Sequence, residues 1–194
     1  MVKLIIFFLA LFCITLIKAQ EPENSNQFSV DIGFRNVFST IWRGQTSKEF
    51  SNKASDGYSI YADYAWQFPH KPGKIATSYF AVPIEFTSMF PNSSSYKSSS
   101  SWAYGWALRH EYNFGKTFNP FFGYGLLLNR LAISGTDGEI IGHNTRFDIG
   151  LNLNIRKRVL PYVKLQYSYT GYPQLNSSRS YHVQSVLLSA GVRL

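Results

Sequence analysis

Hydrophobic and polar residues alternate along long stretches of this chain. The clearest stretch is residues 145–156, in which every second residue is apolar: Phe147, Ile149, Leu151, Leu153 and Ile155. Successive side chains of an extended chain point to opposite faces, so a period of two predicts a β-strand with one apolar and one polar face.

The same pattern recurs often enough to predict eight strands and an all-β fold. Within these strands the alternation has few exceptions, of which Leu127 is the clearest. The predicted strands are residues 27–36, 57–68, 75–89, 101–114, 119–134, 145–156, 159–170 and 181–194.

The predicted connections alternate between short and long. The short ones contain turn-forming residues and cover 69–73, 115–118 and 157–158; the long, polar ones cover 37–56, 90–100, 135–144 and 171–180. Short periplasmic turns and longer external loops are typical of an antiparallel up-and-down transmembrane barrel. The pattern favours that barrel over a soluble meander.

The polar face indicates which side of each strand meets lipid. An eight-stranded barrel has an interior just wide enough for side chains. A soluble barrel would have to fill it with all the Trp, Tyr and Phe of the other face, and these aromatic residues make up 17% of the chain. We therefore expect the apolar face outward, with Leu151 at mid-membrane, and a filled polar lumen without a continuous pore. The predicted lumen charges are Asp63, Glu85, Arg109, Glu111, Arg146, Asp148, Arg156 and Lys164.

The N-terminus has the layout of a secretory signal peptide. Lys3 precedes the apolar run 4–17, and Ala19 is followed by a polar segment. The run is shorter than the ~20 residues that a membrane-anchoring helix requires. We expect cleavage near Ala19, a barrel domain over residues 20–194 and location in the outer membrane of a Gram-negative bacterium. Cys13, the single cysteine, lies inside this predicted signal.

The C-terminus carries a resemblance to a known family. Residues 186–194, VLLSAGVRL, place apolar residues at alternate positions up to the end. This resembles the terminal insertion signal of the small eight-stranded outer-membrane barrels, the class of the outer-membrane protein A transmembrane domain, although those proteins usually end in an aromatic residue and this chain ends in Leu194. The resemblance implies insertion by the barrel-assembly machinery and no particular activity.

The general plan is also similar to that of lipid A deacylase barrels. Their catalytic His-x-Ser-Asn stretch is absent, because residues 167–172 read YSYTGY. Two substitute pairs remain: His182 with Ser180 or Ser185, and His110 with Glu111. Adjacent strand residues point to opposite faces, so His110 and Glu111 cannot share a pocket. We predict that the chain is not an enzyme, with lipid A acyl hydrolysis as the alternative.

Other chemistry finds little support in the sequence. The four histidines are dispersed, without metal-ligand spacing, and no phosphate-binding loop is present. We expect no cofactor, no metal and no nucleic-acid partner.

The net charge of +8 suits contact with outer-membrane lipids and lipopolysaccharide instead. The basic residues expected on or near the external loops are Arg43, Lys48, Lys53, Lys97, Arg130 and Arg179; ordinary solvation is the alternative for them. Trp42 and Phe50 in the longest predicted loop are candidates for contact with another outer-membrane protein.

Overall fold

Nine antiparallel strands form one sheet in the computed structural model of this chain. The structure describes residues 26–43, 48–51, 55–69, 75–91, 98–114, 117–134, 139–154, 159–173 and 180–194, and for residues 40–43 and 48–51 it describes the backbone alone. The strands are β1 (Gln27–Arg43), β2 (Lys48–Ser51), β3 (Ser55–Gln67), β4 (Ala76–Pro91), β5 (Ser99–Tyr112), β6 (Phe118–Ile133), β7 (Glu139–Leu153), β8 (Leu160–Pro173) and β9 (Ser180–Arg193).

The eight long strands close into a barrel. Each pairs with the next in sequence order, and β9 pairs back with β1 from Ser29↔Arg193 to Arg43↔Ser180. Beyond the ladder, Phe28 and Leu194 exchange backbone hydrogen bonds of 3.1 and 2.9 Å. Closure leaves the eight-stranded ring without a free edge. The predicted eight-stranded up-and-down transmembrane barrel is confirmed.

Within the described part of the chain, no helix is both long enough and apolar enough to cross a membrane.

The outer surface of the barrel carries a continuous apolar band. Large apolar side chains of neighbouring strands are exposed there, while their sequence neighbours are buried inside, as alternation requires. The most exposed members of the band include Ile32, Phe34, Ile60, Val82, Leu126, Phe147, Ile149, Leu165 and Leu188.

Aromatic side chains flank this band at both ends. One end of the barrel holds the start of β1 and the end of β9. At this end, where these two strand termini lie, Tyr112 stacks on Phe114 at 5.4 Å between ring centroids. At the opposite end, Phe86 and Trp102 lie 4.8 Å apart. Such girdles mark the two water interfaces of a transmembrane barrel. The end with the termini is called the periplasmic end below, and the other is called the external end.

The strands extend further at the external end than the sequence pattern predicts. β1 continues to Arg43 and pairs there with the short β2, and β7 begins at Glu139 rather than at residue 145. The predicted loops 37–56 and 135–144 are therefore largely strand, and the connections at the two ends become similar in length: 92–98, 134–138 and 174–179 against 68–75, 113–117 and 154–159. Once two strands are in register, backbone pairing can continue beyond the hydrocarbon, where the outer face need not be apolar.

At its periplasmic end β7 stops at Leu153 rather than at residue 156, and this corrects the predicted depth of Leu151. This residue lies two positions before the periplasmic end of β7 at Leu153, whereas Phe147 and Ile149 lie near the middle of the strand. Leu151 is therefore not at mid-membrane. Its outward direction is as expected, since it is exposed and its neighbour Asn152 is buried.

Candidate functional site

The lumen of the barrel is filled by charged side chains in equal numbers of each sign. Among the described residues, five basic and five acidic side chains are buried there: Arg35, Arg109, Arg146, Lys164 and Arg193 with Asp31, Asp63, Glu85, Glu111 and Asp148. They come from neighbouring and opposite strands, so the pairs join distant parts of the chain. Buried charges in this number are stable only when they are paired and hydrogen-bonded.

Arg35 organises the external part of the lumen. Its guanidinium forms an ion pair with Glu85 and donates hydrogen bonds to Ser59 at 2.9 Å, Ser168 at 3.0 Å and Ser185 at 2.8 Å. Glu85 belongs to β4, and the three serines belong to β3, β8 and β9. One side chain of β1 therefore ties together strands from both sides of the barrel closure.

Tyr61 forms the centre of the lumen. The Lys164 Nζ lies 3.9 Å from its ring centroid, and its hydroxyl donates to Asp63 at 2.6 Å and accepts from Arg146 Nη2 at 2.7 Å. Lys164 also bonds to Asp31 at 2.7 Å. The ring thus separates and partly satisfies cations that would otherwise repel each other.

Arg193 and Arg109 close the periplasmic part of the lumen. Arg193 pairs with Glu111 at 2.7 Å and bonds to Asn152, while Arg109 contacts Glu111 at 2.9 Å and Asp63 at 3.2 Å. The last residue but one of the chain is therefore bound across the lumen to β5 and β7.

Apolar side chains share the lumen with the charges. Leu187 is fully buried, and Leu127, Phe121 and Tyr162 are nearly so. The inner face is therefore not composed of small and charged residues alone, which departs from the sequence expectation. The Phe121 ring packs against the barrel wall at Gly150. The ring leaves no room for a Cβ atom at this position.

A small cavity of about 20 Å³ lies among Arg146, Asp148, Lys164 and their neighbours. That volume can hold about one water molecule. The buried side chains of the described lumen therefore suit a rigid, electrically neutral plug.

The structure brings together most of the residues predicted from the sequence as lumen charges. Arg156 lies outside the described residues. Asp31, Arg35 and Arg193 were missed, although their parity on the strand pattern placed each of them on the polar face. Sequence alternation could have found all three.

The residues predicted for external contacts have different positions. Arg130 is exposed and pairs with Glu139 of β7 at 2.7 Å. Arg43 and Trp42 lie in β1, and Lys48 and Phe50 lie in β2, so these four are in strands and not in a loop. Lys53, Lys97 and Arg179 lie outside the described residues.

His182 has the geometry of a hydrogen-bonded relay on the outer face at the external end. Its Nε2 lies 3.0 Å from Ser180 Oγ, and its Nδ1 lies 2.7 Å from the Tyr169 hydroxyl. Ser185 is excluded from this arrangement because it is buried in the lumen and bound to Arg35.

His110 lies on the outer face near the periplasmic end. Its Nδ1 is 2.8 Å from Ser78 Oγ, and its ring packs on Phe122. Its neighbour Glu111 is in the lumen, so the two cannot act together. In the described segments, no group of three His, Cys, Asp or Glu side chains is placed to hold a metal ion.

Comparisons by sequence identify no relatives. No family model matches the chain, and no curated protein matches it.

Comparisons of the fold with solved structures do find similar proteins. Neisserial surface protein A has a TM-score of 0.61 at 18% identity, covering 86% of this chain and 96% of that one. The outer membrane protein OprG from Pseudomonas aeruginosa has a TM-score of 0.50 at 9% identity, covering 88% of this chain and 97% of that one.

The outer membrane enzyme PagL is also similar, but more distantly. Its TM-score is 0.39 at 12% identity, with 79% of this chain and 97% of that one covered. A likeness at this level carries no argument about catalysis. The closed ring of eight long antiparallel strands and the similarity to Neisserial surface protein A and OprG together show that the chain has the fold of the small eight-stranded outer-membrane β-barrels.

Proposed function

We propose that this chain is an integral outer-membrane protein of a Gram-negative bacterium with a structural or interaction role. It contacts other envelope proteins or lipopolysaccharide through its external end. The observation that supports this proposal is the filled lumen, in which the buried charges of the described residues are equal in number for the two signs. A barrel whose lumen is filled by its own side chains leaves its external end as the surface on which a partner would act.

The external end offers two kinds of contact. The paired β1 and β2 extend the sheet there and include Trp42 and Phe50. The basic residues of this end would attract lipid phosphates in a salt-dependent way: Arg43, Lys48, Lys53, Lys97, Arg130 and Arg179.

Export and insertion belong to the same proposal. Residues 1–19 act as a cleaved signal peptide, and the barrel-assembly machinery inserts the chain through its C-terminal strand. N-terminal sequencing of the protein recovered from the outer-membrane fraction tests the cleavage near Ala19.

A co-purification experiment tests the interaction role. The tagged protein is extracted from its native membrane in mild detergent, and bound proteins are measured by quantitative mass spectrometry. We expect an outer-membrane protein to be enriched with the native chain and lost with the double substitution Trp42→Ser and Phe50→Ser.

The control replaces aromatic residues at the periplasmic end, with Phe114→Ser and Phe118→Ser, and leaves β1 and β2 unchanged at the external end. Equal recovery of partners with both double variants would contradict a contact through β1 and β2. Recovery of the mature chain in the soluble periplasm would contradict the outer-membrane assignment itself.

Acyl hydrolysis of lipid A is a second candidate function, favoured by the relay through His182. In a hydrolase, Ser180 Oγ would attack an acyl ester carbonyl, and His182 Nε2 would accept the serine proton and transfer it to the departing alcohol. Water would then release the acyl group from Ser180. The tautomer required has its proton on Nδ1, which would donate to the Tyr169 oxygen. A neutral phenol stabilises an imidazolium less than the carboxylate of a triad does.

Mass spectrometry of lipid A from cells that express the protein tests this candidate. Loss of one acyl chain that depends on both Ser180 and His182 would support hydrolysis, with Ser180→Ala and His182→Ala as the variants. Unchanged lipid A, or acyl loss that persists in both variants, would contradict it. His110→Ala, at the periplasmic end of the outer face, is the matched control.

A further inference from the structure

The outer wall of β7, β8 and β9 changes from apolar to polar just beyond the hydrocarbon band. On β9, Leu188 is 62% exposed, and the next outward residues toward the external end are Val186, Gln184, His182 and Ser180. On β7 the same change occurs between Phe147 and His143. The polar residues therefore lie at the level of the outer-leaflet headgroups.

Six side chains make up this rim patch: His143, Tyr167, Tyr169, Ser180, His182 and Gln184. The outer wall on the opposite side differs at this level. There Tyr58 and Phe90 pack at 5.7 Å between ring centroids, and Phe86 packs on Trp102. The rim patch is therefore a local feature of one side of the barrel and not part of a uniform girdle.

Hydrogen bonds within the rim patch hold its groups in place. The Tyr167 hydroxyl donates to Gln184 Oε1 at 3.2 Å, and the His182 ring bonds to both Tyr169 and Ser180. The Tyr169 and His182 rings also stack, with centroids 5.6 Å apart. Groups that are already ordered lose less entropy when they bind a ligand.

Gly171 lies in the middle of the rim patch, between two histidines of the neighbouring strands. It pairs in register with His143 on one side and with His182 on the other. Two strand spacings place the Cα atoms of these histidines roughly 10 Å apart. A Cβ atom at Gly171 would approach the His182 ring at 3.3 Å, so the glycine gives this ring room to lie against β8.

The chemistry of the rim patch fits a sugar headgroup that carries phosphate. Its amide, hydroxyl and imidazole groups can exchange hydrogen bonds with sugar hydroxyls and donate to phosphate oxygens, and its rings offer flat faces. None of the six side chains is a carboxylate, the group that would best hold the ammonium of a zwitterionic phospholipid. The patch therefore favours an anionic glycolipid.

We propose that the rim patch binds the phosphorylated sugar headgroup of an outer-leaflet glycolipid, with the headgroup bonded by the side chains around His182. This inference rests on the proposed function, since it requires the external end of the barrel to lie in a glycolipid leaflet. It adds a specific site on the barrel wall, separate from β2 and the external connections.

Lipid retention measured by native mass spectrometry tests this site. The folded barrel is reconstituted with equal amounts of purified lipid A and phosphatidylglycerol, and the lipids that remain bound are counted. We expect lipid A to be retained in preference. The double variant His182→Leu and Gln184→Leu should lower its retention roughly tenfold, as expected for the loss of one to two net hydrogen bonds.

His110→Leu is the matched control, since His110 is also an outward histidine bonded to a serine but lies at the periplasmic end. Tyr169→Phe removes only a hydroxyl, so it keeps the test valid if the double variant does not fold. This variant should also lower the retention of lipid A.

Equal retention of lipid A by the wild type and the rim-patch variants would overturn the site. The proposed function would then remain open to contact through the external loops. Equal retention of both lipids by the wild type would overturn the choice of glycolipid. Absence of the protein from the outer membrane would remove the proposed function and this inference together.

Discussion

Side-chain direction separates neighbouring residues of this barrel into two different solvents. Ile149 is 59% exposed on the outer wall, and its neighbour Asp148 is buried in the lumen. Within one strand, the outward side chains face hydrocarbon, and the inward side chains are paired with charged and polar groups of the lumen. The effect of a substitution therefore depends on its parity and on its depth.

An arginine at Ile149 tests both parity and depth. Ile149→Arg places a cation near the middle of the band and should cost about 2 to 4 kcal/mol of unfolding free energy. Ile141, also an isoleucine, is 56% exposed on the same face of β7 but lies near its external end. Ile141→Arg should therefore cost only about 0 to 1 kcal/mol.

Urea unfolding in lipid vesicles measures both changes. Equal costs at the two positions would contradict the depth assigned to the band.

The pair of Lys164 and Asp31 tests the lumen at the same scale. Lys164→Met leaves the buried Asp31 carboxylate with Tyr162, whose hydroxyl donates to it at 2.6 Å, but without a cation. We expect a cost of about 3 kcal/mol, at the lower end for breaking a buried pair.

The double variant Lys164→Met and Asp31→Leu removes both charges and should be more stable than Lys164→Met alone. Unfolding free energies of the two single variants and the double variant, combined in a double-mutant cycle, give the coupling. Additive costs would show that the pair does not stabilise the fold as its 2.7 Å contact implies.

Strand length shows where sequence patterns stop being informative. Inside the band, alternation predicted every long strand and, within a few residues, its periplasmic end. At the external end, β7 extends over 139–144, where the outward residues are Glu139, Ile141 and His143. Both faces of a strand may be polar outside the hydrocarbon, so no apolar period remains to mark it.

Amide hydrogen exchange tests the external extension of β7. Residues 140–144 pair with β6 and in part with β8. We expect their amides to be protected to a degree similar to those of residues 146–150, whereas an unpaired loop would exchange orders of magnitude faster. The amide of Asn154, just beyond the strand, bonds to Thr117 O at 2.8 Å and serves as a reference for the periplasmic end. Rapid exchange over 140–144 would restore the loop that the sequence pattern predicted.

At the scale of the whole molecule, cross-lumen contacts decide whether the barrel conducts. Arg35 binds side chains of β3, β8 and β9, and Arg193 binds β5 and β7. These contacts and the cation over Tyr61 close the lumen across its width. Arg146 is only 1% exposed at its centre.

Reconstitution into a planar bilayer tests this closure. We expect no steady conductance above that of the protein-free bilayer, because a channel would require several buried ion pairs to break together. Persistent conductance steps that depend on the protein and occur at a low applied voltage would contradict the filled lumen.

The amino-acid sequence by itself determined the class of fold, the number of long strands and the face that each residue takes. Those properties follow from the period-two pattern, which is local and is imposed by the two solvents on either side of each strand. The sequence also indicated the charges that line the lumen, because their parity is readable.

Only the tertiary structure decided which of these charges meet, since Lys164 and Asp31 or Arg193 and Glu111 are brought together by closure of the ring. It also decided how far the strands extend and that His143, Gly171 and His182 lie side by side. Register between distant strands determines such contacts, and register depends on the summed pairing of the whole barrel rather than on any one segment.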